Sequence, residues 1–441
     1  MNNYPAILGG SPVRRTPFPR RRTMGAAERK AALEVLDSDN LSSFFGSAGE
    51  FFLGGEKVRA FENAWAQKYG FGHAISVNSW TSGLTVAIGA IGIEPGDEII
   101  CSPYTMSASA TCALFYGGIP IFADIDAETF CLDPVAVEDA ITPRTKAIVV
   151  VHLFGRPAEL DAICGIAHRH GLRVIEDAAQ APGVFYRGRP VGAIGDLGGF
   201  SLNYHKHIHT GEGGMIVTND AILARRCQLI RNHGENASEG LEGAALSNVI
   251  GGNYRLTELQ AAIGAAQLDR LNACLITRTL LADHLGRRLA AIPGLRIPPP
   301  LSAGSTQAHY VYPIKYDAAI TGLSRHSFVK AVLAEFPIPE NFEGTPLTEG
   351  YVRPLYLNSI YQQRIAIGAK GFPFNCNPGV KYSYLPGLCP VTERMYEREL
   401  LLTPLVREPL TKTDMDDLAD AIEKVISNAS SLAAVLDNAE R

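Results

Sequence analysis

Lys206 lies in the stretch Phe200 to Asp220, FSLNYHKHIHTGEGGMIVTND, between an apolar run ending near Leu202 and a glycine turn at Gly211 to Gly214. Met215, Ile216 and Val217 then resume a buried run, so one amine sits on a constrained loop between two core segments. Flanked by histidines and with little carboxylate nearby, such a lysine is partly desolvated and can act as a nucleophile that forms a Schiff base with a carbonyl. A solvated loop lysine would look the same in this stretch alone, so other groups must complete the chemistry. Asn78, Ser79, Trp80, Thr81, Ser82 and Gly83 lead from an apolar run straight into a helix pattern. Hydroxyls and free N–H groups meeting at the positive end of a helix dipole make an anion site, most simply for a phosphate. An ordinary Ser/Thr cap uses the same residues. Asp177 follows the predicted buried strand Arg173 to Glu176, and a carboxylate ending a buried strand is costly unless it meets a cation. A pyridinium nitrogen would be such a cation. His205, His207 and His209 alternate and could share one face of an extended segment. No acidic or cysteine ligand accompanies them at a zinc-like spacing, so no metal is expected.

These residues must be held by alternating strands and helices. Strands are predicted at Ala74 to Val77, Glu98 to Ser102, Pro120 to Ala123, Ala147 to Leu153, Arg173 to Glu176 and Gly199 to Leu202. Helices are predicted at Ala26 to Leu36, Thr81 to Ile91, Ser107 to Tyr116 and Glu159 to His170. The alternation argues for an α/β fold with a mostly parallel sheet between helices. In that architecture ligands bind beyond the carboxyl ends of the strands, where Asn78 to Ser82, Asp177 and the Lys206 loop fall.

Composition narrows the function classes. The 441 residues are 46% apolar and 19% charged with a formal net charge of -5, so a large core is available and there is no basic field for nucleic acid. Apolar stretches such as Ala147 to Leu153 are too short to cross a bilayer. Arg14, Arg15, Arg20, Arg21 and Arg22 are not followed by the apolar segment of a secretory signal, and a cytoplasmic protein is expected. The eight cysteines include no CxxC pair and read as buried reduced thiols.

The run VIEDAAQAPGVFYRGRPVGAIGDLGGFS, the lysine after it, and TGEGGMIVTND resemble the pyridoxal-phosphate sugar aminotransferases of the DegT and StrS type. The likeness runs from about Val58 to Leu271. It implies the fold type I architecture: a large domain with a mostly parallel seven-stranded sheet between helices, and a smaller α+β C-terminal domain. The implied cofactor is pyridoxal 5'-phosphate, with Lys206 holding its aldehyde, Asp177 paired with the pyridinium nitrogen and Gln180 near the ring hydroxyl. Thr81, Ser82 and Ser201 match the phosphate-binding positions. In the resembling family the asparagine of the NYR motif, here Asn253 to Arg255, reaches the phosphate of the neighbouring subunit, which implies a homodimer with shared active sites. Departures fall at Asn203, where the family often has an aromatic residue or histidine, and at Met106, where many members stack an aromatic ring. A methionine sulfur can cover a ring face with less fixed geometry.

The expected division is an N-terminal arm and helix over 1–56 packing on the small domain, a large cofactor-binding domain over 57–292 and a small domain over 293–441. The arm segment GGSPVRRTPFP is similar to that of the cyclitol and aminohydroxybenzoate branches. Phe44, Phe45, Phe51 and Phe52 form either a pocket wall or an interface plug, and Phe51 joins Asn203 and Arg255 as a candidate substrate contact. Arg255 could meet a donor carboxylate or serve only the helix start. Glu235 to Gly252 should be a long mobile loop, followed by a helix over Thr257 to Ala291. A strand is expected at His309 to Lys315, a helix at Ser324 to Phe336, little regular structure over 337–384, and a last helix capped by Thr411 or Thr413 with Leu418, Ile422 and Val425 on one stripe. The expected activity is transfer of an amino group from L-glutamate or L-glutamine to a keto-sugar, nucleotide-linked in one form, or to a ketocyclitol. The alternatives are a pyridoxal-phosphate dehydratase or lyase, and a non-catalytic sensor. Relatives that became dehydratases replace the lysine by histidine, whereas Lys206 is kept. The residues before the core carry no helix-turn-helix pattern for a DNA-binding sensor.

Overall fold

In the computed structural model, which describes residues 4–339 and 345–437, the short apolar runs become strands. These are β1 (His73–Val77), β2 (Glu98–Cys101), β3 (Ile119–Phe122), β4 (Thr145–Val151), β5 (Arg173–Asp177), a separate two-residue hairpin of β6 (Phe185–Tyr186) and β7 (Arg189–Pro190), β8 (Leu197–Ser201) and β9 (Gly214–Thr218). All but the hairpin form one seven-stranded sheet in the order β1-β9-β8-β5-β4-β2-β3. From β8 to β3 the strands are parallel, while β9 runs against both its neighbours. Because β1 and β8 are each antiparallel to β9, β1, β8, β5, β4 and β2 all end at the same edge.

Strand residues alternate between two cores. Ile100, Ile148, Val150 and Val174 face Phe61 and Trp65 of α2 (Glu56–Tyr69) on one side. Ile99, Cys101, Val149 and Ile175 face Leu84 and Ile88 of α3 (Trp80–Ala90) on the other. Burial on both faces is what near-continuous apolar strands of a parallel sheet require. The second layer also holds α4 (Ala108–Leu114); the first holds α5 (Pro134–Asp139) and α6 (Leu160–His170). Next come α7 (Ala221–Arg231), started by the Asp220 cap, and α8 (Glu258–Leu289), started by a Thr257–Gln260 capping box. Helix α8 has 32 residues and is about 48 Å long at 1.5 Å per residue, enough to serve two cores.

Its second half, through Leu281, Leu285 and Leu289, packs in a separate core with Ile314, Phe328, Met415 and Leu418. The four-stranded antiparallel sheet there has the order β10 (Leu295–Arg296), β11 (Tyr312–Tyr316), β13 (Leu400–Thr403), β12 (Thr348–Glu349). Helices α9 (Ala318–Thr321), α10 (Arg325–Leu333), α11 (Ser359–Gln362), α12 (Pro390–Arg394), α13 (Lys412–Ser427) and α14 (Ala429–Leu436) complete the chain. Thr411 caps α13, and Leu418, Ile422 and Val425 are buried on it as their spacing predicts. Helix α1 (Ala26–Asp37) lies along α8.

Two of the expected segments differ, and a third acquires a role. The strand expected from His309 begins at Tyr312, because Ala308 and Tyr310 donate their N–H groups to Gly155 and Phe154 beneath the large sheet's edge instead. The loop before Gly252 is pinned rather than free: it forms 3-10 turns at Gly234–Ala237 and Gly243–Leu246, and Asn248 Nδ2 donates to the Ile93 carbonyl at 2.8 Å. Within 337–384, where 340–344 lie outside the described residues, Tyr361, Phe374 and Tyr384 gather round Phe122 of the edge strand β3. This segment covers an edge that would otherwise be open to pairing.

Candidate active site at the strand ends

Register places the candidate groups side by side. Asp177 pairs with Gly199, Ser201 with Gly214, and Gly214 with Val77, so β8 and β1 end level and β5 ends two residues earlier along β8. Ser79 follows β1 as the cap of α3, accepting from the Ser82 N–H at 3.1 Å. The Ser82 hydroxyl donates to Asn78 Oδ1 at 2.7 Å, and Thr81 is exposed. A Cβ on Gly214 would stand 2.7 Å from the Trp80 nitrogen, so only glycine lets β9 approach the first turn of α3 this closely.

Asp177 is 4% exposed. Its Oδ1 accepts the Trp80 indole N–H at 2.7 Å and the Ala179 N–H at 3.1 Å, and its Oδ2 accepts the Ser109 hydroxyl at 2.6 Å. A buried carboxylate is stabilised by such charge-assisted bonds. The Trp80 ring fits because Gly83 and Gly199 carry no side chain: a Cβ at Gly83 would be 2.5 Å from the ring, and one at Gly199 would collide with it.

Lys206 sits in a turn closed by its own N–H to the Asn203 carbonyl at 2.9 Å. Its ammonium lies 4.4 Å from the centroid of the Tyr310 ring. Asn203 is used inside the loop, donating to Glu212 at 2.9 Å and accepting from the His205 N–H at 3.3 Å. Ser201 accepts the Asn203 N–H at 3.3 Å. The three histidines diverge: His205 stacks on Tyr204, His207 is buried against the Ala308 carbonyl at 2.9 Å, and His209 meets the Thr23 hydroxyl. Burial and the nearby cations Arg278, Arg21 and Lys206 push the His207 imidazolium well below its usual range.

Gln180 accepts the Phe154 N–H at 2.7 Å and donates to the Tyr351 hydroxyl at 3.0 Å. Tyr351 itself stands edge-on to Tyr104 and Phe154. Met106 is 60% exposed at the same strand-end edge, after β2. The Asn253 carbonyl accepts from Asn78 Nδ2 at 3.3 Å, which brings the NYR motif beside the α3 cap of its own chain. Arg255 is turned onto Asn253 Oδ1 at 2.8 Å and Asn232 Oδ1 at 3.4 Å. Of the phenylalanines, Phe52 is buried with Leu229, Ala237 and Val249, while Phe51 is 39% exposed and packs on Phe45.

Sequence reasoning did not single out Ser109, Tyr310, Tyr351 or the indole of Trp80 as parts of this site. They reach it across 68 residues or more of chain, as with Ser109 to Asp177 and Trp80 to Asp177. Only Trp80 carried a local signal, a large aromatic ring amid hydroxyls at a helix start.

The model of the DegT/DnrJ/EryC1/StrS aminotransferase family matches residues 46–423. The chain is 35% identical over 443 residues to an L-glutamine:2-deoxy-scyllo-inosose aminotransferase of Streptoalloteichus tenebrarius, covering 97% of this chain and 99% of that protein. It is 39% identical over 288 residues to GDP-perosamine synthase of Caulobacter vibrioides, covering 65% and 74%. Among solved structures, DesI with its TDP-sugar product superposes with a TM-score of 0.78 at 29% identity, covering 97% of this chain and 98% of that one.

Proposed function

The chain belongs to the DegT/DnrJ/EryC1/StrS aminotransferase family, and from that premise we propose that it moves an amino group from L-glutamine or L-glutamate to a ring ketone with pyridoxal 5'-phosphate as cofactor. The ring is that of a keto-sugar or a ketocyclitol. The observation that carries this reading is the buried Asp177 side chain, held on both oxygens and paired with Gly199 of β8, the strand that leads to Lys206.

The residues fit the cofactor by their chemistry. A buried carboxylate suits a protonated ring nitrogen, hydroxyls and free N–H groups at the start of α3 suit a phosphate, and an amine on a fixed loop suits an aldehyde. When bound, the cofactor supplies the electron-accepting ring and the carbonyl that takes the donor's nitrogen. Asp177 would keep a proton on the ring nitrogen, and Trp80 and Ser109 keep Asp177 aimed. Thr81, Ser82 and Ser201 hold the phosphate, with Asn253 contributed by a second copy in a homodimer. Met106 covers a ring face, and Gln180, fixed by Phe154 and Tyr351, borders the ring hydroxyl. Lys206 would hold the cofactor's aldehyde, and its amine, when free, would move the proton at the substrate carbon. Asn203, Arg255 and Phe51 border the substrate.

The end-to-end match to the inosose aminotransferase supports L-glutamine as donor and a ketocyclitol as acceptor. The match to GDP-perosamine synthase supports a nucleotide-linked keto-sugar. The test is mass spectrometry of products after incubating the holoenzyme with each donor and a panel of ketocyclitols and nucleotide keto-sugars. An amine in place of the ketone is expected with one acceptor class. Loss of water or of a side group without amine gain would instead make the protein a dehydratase or lyase.

A further inference from the structure

The N-terminal arm ends under the reactive loop. Arg21 Nη2 donates to the carbonyls of Lys206 at 2.6 Å and His207 at 2.9 Å, and Nη1 donates to the His205 carbonyl at 3.4 Å. Its side chain is 3% exposed. Three successive carbonyls converging on one side of a tight turn repel one another and need donors when water is excluded. A guanidinium offers several donors in one rigid plane, which a lysine ammonium does not.

The loop is tied to the surface it rests on. Glu408 lies 4.0 Å from Arg21 Nε and 4.0 Å from Arg278 Nε. Arg278 in turn donates to the carbonyls of His309 at 2.7 Å and Tyr310 at 3.3 Å. Arg21 therefore holds the backbone of Lys206, Arg278 holds the backbone of Tyr310, and Glu408 stands between the two cations. The Lys206 amine meets the Tyr310 ring above them. Upstream, the arm is fixed elsewhere: the Ala6 and Val13 N–H groups donate to Glu335, and Arg14 donates to Asp414 and Asp417 at 2.7 and 2.8 Å.

We propose that Arg21 is a positioning residue for Lys206, the arm acting as a strap whose guanidinium fixes the lysine loop against the Arg278-held Tyr310 segment. This rests on the reading of Lys206 as the reactive amine. Displacing a reacting group by about 1 Å costs up to roughly a hundredfold in rate, so turnover should register a loosened loop without loss of the fold.

The test compares Arg21→Ala with Arg14→Ala, which removes one of the strap's upstream anchors, the ion pairs to Asp414 and Asp417, and leaves the Arg21 fork in place. Hydrogen exchange of the cofactor-free full chain should show lost protection over residues 204–208 in Arg21→Ala and wild-type protection there in Arg14→Ala. In the holoenzyme, kcat of Arg21→Ala should fall roughly tenfold to a hundredfold, with donor KM changed far less. If Arg21→Ala does not fold, Arg21→Lys keeps the charge and loses the planar fork, and the same two losses are expected. Wild-type exchange at 204–208, wild-type turnover with exchange increased, or equal effects from Arg14→Ala would each overturn the proposal. Full activity of Lys206→Ala would instead overturn the reading of Lys206, and the exchange result would still report whether Arg21 holds the loop.

Discussion

The Trp80 indole donates to Asp177 across 2.7 Å, and both side chains are buried. Asp177 is thus held among apolar neighbours by bonds from two helices, the indole of α3 and the Ser109 hydroxyl of α4. Trp80→Phe keeps most of the ring in its glycine slot and removes only the donor. Hydrogen bonds to charged groups contribute about 1.5–3 kcal/mol, so urea unfolding of the cofactor-free protein should show a loss of that order. An unchanged midpoint would mean that the bond has no net worth.

On the proposed role, Asp177→Asn preserves shape and removes the charge that would keep a ring nitrogen protonated. Turnover is expected to fall by roughly a hundredfold or more, the scale for losing a preorganised electrostatic partner, with donor KM altered far less. Steady-state kinetics with the identified acceptor would check this, and normal turnover would leave Asp177 a structural strand end.

Much of this architecture was legible because local pattern and tertiary demand agree. Ala147 to Val151 are apolar because both faces of β4 are covered, and Asp177 stood out as a charge ending such a run. Thr411 announced its helix by its own capping chemistry. Helices α5 and α7 went unread although Asp133 before Pro134 and Asp220 before Ala221 are ordinary start signals. The partners of the site were hidden for another reason. Arg21 and Tyr351 meet the Lys206 loop and Gln180 from 185 and 171 residues away, and no periodicity or cap encodes such a contact. Arg255 carries a charge that suits a substrate carboxylate, and the structure adds what its sequence neighbourhood did not show, that Asn253 and Asn232 orient it.

Two histidines, His207 buried and His309 half-buried, give the protein a pH dependence. Burial, Arg278 and Arg156 lower the His309 pKa from 6.5 to about 4, and burial chiefly lowers that of His207. Between these values and 6.5 the unfolded chain binds protons that the folded chain refuses, so stability must fall as pH falls through that window. For His309 the loss begins near 6.5 and is complete near 4. Unfolding midpoints measured from pH 7.5 to 4.5 should decline, and His309→Gln should flatten the slope. An equally steep decline in that variant would remove His309 from the explanation.

The proposed sharing of the site between two copies predicts complementation. Asn253 is exposed beside the α3 cap, and its side-chain amide can donate to a phosphate oxygen. Lys206→Ala and Asn253→Asp, each inactive, are mixed and allowed to exchange subunits. If the partner supplies Asn253, each hybrid holds one site with both defects and one intact site, and part of the wild-type activity returns. If Asn253 serves its own chain, every hybrid site is defective and mixing restores nothing.

The central claim is that Lys206 is the amine that takes the cofactor's aldehyde. Borohydride reduction of the protein loaded with pyridoxal 5'-phosphate, followed by digestion and peptide mass spectrometry, tests it directly. The expected result is one pyridoxyl group on the peptide containing Lys206, none after the same treatment of Lys206→Ala, and no turnover by that variant. A pyridoxyl group on another lysine, together with full activity of Lys206→Ala, would contradict the account.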